Sequence, residues 1–137
     1  GIKGPEAGGK GIEAEIEGFK GMIGRVKAAF PHASVYATTL REVVSVNEHL
    51  WGAIMLEEEN WHVIMPRKIN VLDRIGGGDG FVGGLLYAIL KGWEPDTWPK
   101  FGWASGALAT TFLTDYAQPA DEDMVWSIWG GNARVKR

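Results

Sequence analysis

The stretch D-R-I-G-G-G-D-G-F-V-G-G, residues 73–84, narrows the possible folds more than any other part of this sequence. Three consecutive glycines lie between two aspartates, and apolar residues at helical spacing follow at once: Phe81, Leu85, Leu86 and Ile89. Glycine loses more backbone freedom on folding than any other residue, so a run of it marks a place where the backbone itself has a task. The run I-N-V-L-D at 69–73 reads as a strand, which makes the local prediction strand, tight turn, helix.

Elsewhere the periodicity changes along the chain. Residues 1–11 hold five glycines and a proline without apolar spacing and read as a linker or loop. Residues 12–137 read as one unit. Ile12, Ile16, Phe19, Ile23, Val26 and Phe30 follow steps of four and three, one face of an amphipathic helix that Pro31 stops. Ser34–Thr39 reads as a strand, and Val43–Val46 as a further short one. W-G-A-I-M-L (51–56) and W-H-V-I-M-P (61–66) read as two strands joined by the polar turn E-E-E-N. The helix after the glycine loop ends at Lys91-Gly92, another spans Pro95 to Ala109, and a last one runs from Pro119 to Gly130. Helix, strands, then helices imply an α/β fold. Few strands for so many helices, with seven tryptophans to hide, imply half of a larger α/β domain.

Composition removes several function classes. With 137 residues the chain suffices for one domain. A net charge of −3 is no footprint for nucleic acid. There is no cysteine, hence no disulfide framework, thiolate nucleophile or cysteine zinc site. No apolar run approaches membrane-spanning length and no leader pattern is visible, so neither membrane nor export is expected, and the cytoplasm is.

Three readings of the glycine loop compete. In the first, Gly76–Gly78 form a structural turn and Asp79 caps the helix. In the second, Gly78-x-Gly80-x-x-Gly83 is a dinucleotide fingerprint. That fingerprint wants an acid about 20 positions on at a strand end. The candidate, Asp96, sits at a helix start instead, and an aspartate inside the motif would repel a pyrophosphate. In the third, the turn aims free N–H groups and a positive dipole end at one point, where charge on a phosphoryl group in flight is stabilised. Asp79 is then placed to take a proton from an attacking hydroxyl.

D-R-I-G-G-G-D-G-F resembles the D-T-x-G-A-G-D-x-F signature of the ribokinase-like (phosphofructokinase B) sugar kinases. T-L-R-E at 39–42, D-R-I-G-G-G-D and the ending A-R-V-K-R resemble the 2-keto-3-deoxygluconate kinase branch. The resemblance implies a three-layer α/β/α sandwich, of which this chain is the C-terminal half. It implies Asp79 as catalytic base on the sugar hydroxyl, with Gly76, Gly77, Gly78 and Asp79 as the anion hole for the ATP phosphates. It implies that Thr39, Leu40, Arg41 and Glu42 form a loop along the nucleotide, with Arg41 where the wider family has glycine. Ala104 falls on the helix beside the adenine pocket, and Asp115 in L-T-D-Y on a segment that reaches the sugar. ATP, Mg²⁺ and a monovalent cation such as K⁺ are the implied cofactors. A sugar acid, the N-terminal half of the kinase domain and a second copy of the complete protein are the implied partners. A kinase of the same family for fructose or ribose, and a non-catalytic nucleotide-binding or assembly module, are the alternatives.

Other conspicuous residues receive structural readings. His32, His49 and His62 lack metal-ligand spacing, and Glu57–Glu59 suit a solvated turn. Asp121, Glu122 and Asp123 belong to a helix's first turn, where acids are favoured. The tryptophans are expected in the core or at an interface.

Overall fold

The structure, a computed structural model, describes residues 1–5, 11–112 and 121–131. It is α/β, with elements in the order α1 (Ile12–Ala29), β1 (Val35–Ser45), β2 (Glu48–Glu57), β3 (Asn60–Asn70), α2 (Gly77–Leu90), α3 (Thr97–Ala109) and α4 (Glu122–Trp129). The strands form one sheet in the order β1-β2-β3, joined by two-residue turns, so each pair is an antiparallel hairpin.

Two differences from the sequence-based expectation concern strand length. Ser34–Thr39 and Val43–Val46 are not separate strands: β1 runs unbroken from Val35 to Ser45. Thr39–Glu42 therefore lie inside a strand rather than on a loop. The β-branched residues on either side, Thr38 and Thr39, then Val43 and Val44, keep the backbone extended through Leu40, Arg41 and Glu42. The second hairpin turns at Glu58 and Glu59 alone, with Glu58 at a left-handed φ of 53°. Pro66 does not end β3, because β3 is an edge of this three-stranded sheet and a missing N–H is tolerated there.

The chain divides into two compact units. The first comprises Gly1–Thr38 and Ile54–His62. In it α1 buries Ile16 and Ile23, two members of the apolar face expected of that helix, while Phe30 lies past the helix end and is exposed. Arg25 donates to the carbonyls of Lys3 (3.2 Å) and Gly4 (2.6 Å), which ties residues 1–5 to α1 rather than leaving them as a plain linker. Lys27 reaches the Glu59 carboxylate at 2.8 Å.

The second unit comprises Thr39–Ala53 and the chain from Val63 onward. Its central feature is the contact between α2 and α3, made through residues without side-chain bulk. A Cβ on Gly80 would lie 2.8 Å from the Ala109 Cβ, and one on Gly84 would lie 2.6 Å from the Ser105 Cβ. From the other side, a Cβ on Gly106 would lie 2.7 Å from the Gly77 carbonyl oxygen. Interiors are close-packed, so these glycines set the separation of the two helices. Phe101 packs on Tyr87, Trp93 and Trp126, with ring centroids 5.1–5.4 Å apart. Tyr87 donates its hydroxyl proton to Glu122, which also pairs with Lys91 at 3.5 Å, clasping α2 to α4. Four of the seven tryptophans pack ring on ring, Trp93 on Trp126 and Trp103 on Trp129, whereas Trp61 is exposed.

Candidate active site

The site is built where β3 leads into α2. After β3, the N–H of Val71 donates to Asn47 O at 2.8 Å, and those of Leu72 and Asp73 both donate to Thr110 O at 2.9 and 3.1 Å. The Asp73 carboxylate accepts from the Ile75 N–H at 2.9 Å, an Asx turn that bends the chain into the glycines. Asp73 is therefore a turn-former.

Each glycine of the triplet has a different physical reason. Gly76 is the N-cap of α2 at φ 87°, a left-handed conformation open to glycine. Gly77 is buried, and a Cβ there would lie 2.7 Å from Arg41 Nη2 and 3.1 Å from Thr110 Cγ2. Gly78 is exposed, has no positive φ, and a Cβ would meet nothing within 4 Å. Neither conformation nor packing within the chain calls for glycine at 78.

Asp79 does not cap α2. The cap is Gly76, no side chain bonds to it, and Asp79 is the third residue of the helix. The first reading of the loop fails on this geometry. The first N–H to return to a helix carbonyl is that of Gly80, to Gly76 O at 2.8 Å. The N–H groups of Gly77, Gly78 and Asp79 are left as the first-turn donors, at the positive end of the helix dipole. The Asp79 side chain is exposed and makes no hydrogen bond or ion pair among the described residues.

Positive charge gathers behind this turn. The Arg41 guanidinium lies over the Trp51 ring, 4.7 Å from its centroid, and its Nε is buried without a hydrogen-bond partner. Burial lowers the Arg41 pKa, and nearby Arg74 lowers it further. His49, 3% exposed on β2, has its pKa lowered by burial first and then by Arg41 and Arg74. Its Nδ1 also lacks a partner. Sequence spacing gave no hint of His49, because nothing in a strand pattern says which histidine will be enclosed.

A cavity of about 470 Å³ lies in the same unit, lined among others by Arg67, Ile69, Val71, Trp103, Ala107 and Thr111. The end of α3 and the two residues after it serve both places: Ala107 and Thr111 line the cavity, while Thr110 touches the position of Gly77. Arg67 is held between Trp103 and Trp129, 4.4 and 4.8 Å from their centroids, and donates to Trp129 O at 2.8 Å.

Of the residues expected at the site, Gly76–Asp79 and Arg41 come together. Leu40, 1% exposed, is a core residue, so its side chain takes no part. Thr39 is partly buried and Glu42 exposed on the same strand. Ala104 is fully buried and does not line the cavity; Trp103, Ala107 and Thr111 do, spaced by four. That i, i+4, i+8 stripe was available in the sequence. Asp115 and the ending A-R-V-K-R lie outside the described residues. The Asp121 carboxylate accepts from the Met124 N–H at 2.8 Å as the cap of α4, as expected of acids at a helix start. Among the described residues no three His, Asp or Glu side chains come close enough to hold a metal ion, and no helix is long and apolar enough to cross a membrane.

Residues 33–119 match the family described as pfkB family carbohydrate kinase, well over half of the chain. The chain belongs to that family. Among solved structures, 2-dehydro-3-deoxygluconokinase from Thermotoga maritima superposes with a TM-score of 0.76 at 24% identity, over 84% of this chain and 35% of that one. A PfkB family carbohydrate kinase from Listeria grayi superposes with a TM-score of 0.72 at 23% identity, over 88% and 40%. At such identities the likeness is one of fold, and it establishes the ribokinase-like architecture expected from the glycine motif. The chain spans between a third and two-fifths of the length of these structures. No curated protein sequence matches it.

Proposed function

We propose that this member of the pfkB family is the nucleotide-side, C-terminal part of a kinase that transfers the γ-phosphoryl of ATP to a hydroxyl of a sugar acid. The favoured acceptor is 2-keto-3-deoxygluconate, giving its 6-phosphate. The observation that carries the reading is Gly78: a glycine with open space on its exposed side, in a helix turn with three free donors, next to an unpaired carboxylate. That combination suits close approach of an anion and removal of a proton at the same point. The fold shared with the Thermotoga 2-dehydro-3-deoxygluconokinase supports the choice of acceptor.

In this mechanism the acceptor hydroxyl attacks the γ-phosphorus, the bond to the ADP oxygen breaks, and Asp79 takes the hydroxyl proton. The N–H groups of Gly77, Gly78 and Asp79 stabilise the charge on the phosphoryl oxygens in flight. The cavity bounded by Trp103 and Ala107 receives the nucleoside, its volume being within the range of small-molecule sites. Magnesium, when it accompanies ATP, neutralises phosphate charge.

The sugar side of the site comes from a further segment, the counterpart of the N-terminal part of the longer kinases. Val82, Leu86 and Leu90 form an exposed apolar stripe on α2, spaced by four, that such a segment would cover. The use of ATP supports a cytoplasmic location. The test is a kinase assay of the two parts together, with a panel of sugar acids and neutral sugars. Asp79→Asn should lower kcat by about 10²–10⁴ with little change in the KM for ATP. Undiminished turnover in that variant would remove Asp79 from the mechanism.

A further inference from the structure

We infer that Arg41 is an anion-binding residue of this site, its guanidinium gripping phosphate oxygens at the first turn of α2. The inference rests on the kinase reading for the identity of the anion, and on the geometry around Arg41 for its charge.

Arg41 projects from β1 onto the face of Trp51, with Cζ 4.7 Å from the ring centroid. Trp51 is itself fixed, because its Nε1 donates to Trp103 O at 3.2 Å. The indole satisfies one face of the guanidinium and none of its in-plane N–H groups. A guanidinium has five such donors in a rigid fork and does not lose its proton in proteins. Among the described residues it has no carboxylate partner and no hydrogen bond, and its Nε is wholly buried. Arg74 adds a like charge close enough to be felt at both Arg41 and His49.

Arg41 as a residue is only partly buried, but enclosing its Nε without a partner carries a desolvation cost that no carboxylate offsets. What the fork faces explains its retention. Nη2 sits 2.7 Å from the point where a Gly77 Cβ would stand, so any side chain at 77 would displace it. Gly77 thus leaves room for the guanidinium beside the free N–H groups of α2. Planar bidentate donors are matched to phosphate, and Nη2 lies beside Gly77, in the turn whose three first N–H groups are free. The remaining buried group, His49, has an unpartnered Nδ1, and its pKa is lowered by burial first and then by Arg41 and Arg74.

The test uses the full chain with three probes, inorganic tripolyphosphate, ATP with magnesium, and adenosine, followed by titration calorimetry and thermal melting. Arg41→Met keeps the bulk of the stem and removes the charge. It should melt no lower than the parent without ligand, lose about tenfold or more in tripolyphosphate and ATP affinity, and bind adenosine unchanged. Arg41→Lys should fall between the two. Tripolyphosphate affinity unchanged in Arg41→Met would overturn the inference while leaving the kinase reading in place. A drop in ligand-free melting temperature in both variants, with all three probes weakened alike, would make Arg41 a structural residue and also overturn it. Arg41-dependent tripolyphosphate binding without adenosine binding would uphold the inference and reject the nucleotide reading. A parent chain that binds no probe would reject both.

Discussion

Trp51 and Trp103 hold each other by reciprocal hydrogen bonds: Trp51 Nε1 donates to Trp103 O at 3.2 Å, and Trp103 Nε1 donates to Trp51 O at 2.6 Å. Both rings are almost fully buried. The pair joins β2 to α3 at the point where the two halves of the site meet. One face of Trp51 receives Arg41, its Cζ2 would meet a Cβ on Gly106 at 2.9 Å, and Trp103 forms a wall of the cavity.

Removing one donor of this pair tests how far the site depends on it. Trp103→Phe removes the hydrogen bond to the Trp51 carbonyl, at a cost of about 0.5–1.5 kcal/mol before any loss of packing. Urea denaturation should show a lowered midpoint with an unchanged slope. A midpoint equal to the parent's would mean that the carbonyl finds another partner.

The glycines of α2 should separate into two classes. Gly78→Ala adds a methyl in open space and should raise helix stability by roughly 0.5–1 kcal/mol, yet weaken binding of ATP. Gly80→Ala and Gly84→Ala force Cβ atoms into α3 and should destabilise by about 1–3 kcal/mol. Equal destabilisation at all three positions would contradict the distinct role argued for Gly78.

His49 predicts an acid-side loss of stability. Its pKa is lowered in the fold, so the unfolded chain takes up a proton that the folded chain refuses once pH falls below the ordinary imidazole value of about 6.5. Stability is therefore full above that pH and declines as the pH falls from there through the lowered folded value. His49→Gln should flatten this part of the pH profile. A profile identical in parent and variant between pH 7 and 5 would show that His49 is not the group responsible.

The apolar stripe on α2 gives a prediction about assembly. Leu86 is exposed, so Leu86→Glu should change the melting temperature of the chain by little. The same change should abolish kinase activity reconstituted with the N-terminal part, by placing a charge in the covered face. Unimpaired reconstitution would mean that this face stays open to water.

Much of the architecture was legible because it depends on local pattern. The helices beginning near Ile12, Thr97 and Glu122 follow from spacing and from punctuation by proline and glycine. The junction from β3 to α2 follows from the glycine run. The length of β1 is not legible in the sequence, since a polar pair, Arg41-Glu42, interrupts the apolar signal while the backbone remains extended. Ala104 is assigned to the nucleotide by the family resemblance, not by local pattern. In the fold the small residues Gly102, Ser105, Gly106 and Ala109 meet α2, and the neighbouring stripe of Trp103, Ala107 and Thr111 faces the cavity.

By itself the sequence determined the α/β class, the turn-to-helix motif with Asp79 beside free N–H groups, and hence a phosphoryl-transfer site as a hypothesis. Those features are set by residues adjacent in the chain. Only the tertiary structure decided what each glycine is for, because a missing side chain acquires meaning from what would occupy its space. Gly76 serves backbone conformation, Gly77 makes room for a guanidinium from β1, Gly80 and Gly84 admit α3, and Gly78, like Gly83 about one and a half turns on, faces open space, but at the first turn with its free N–H groups. The placement of Arg41 depends on contacts between residues 36 positions apart (41 and 77), which no local periodicity encodes.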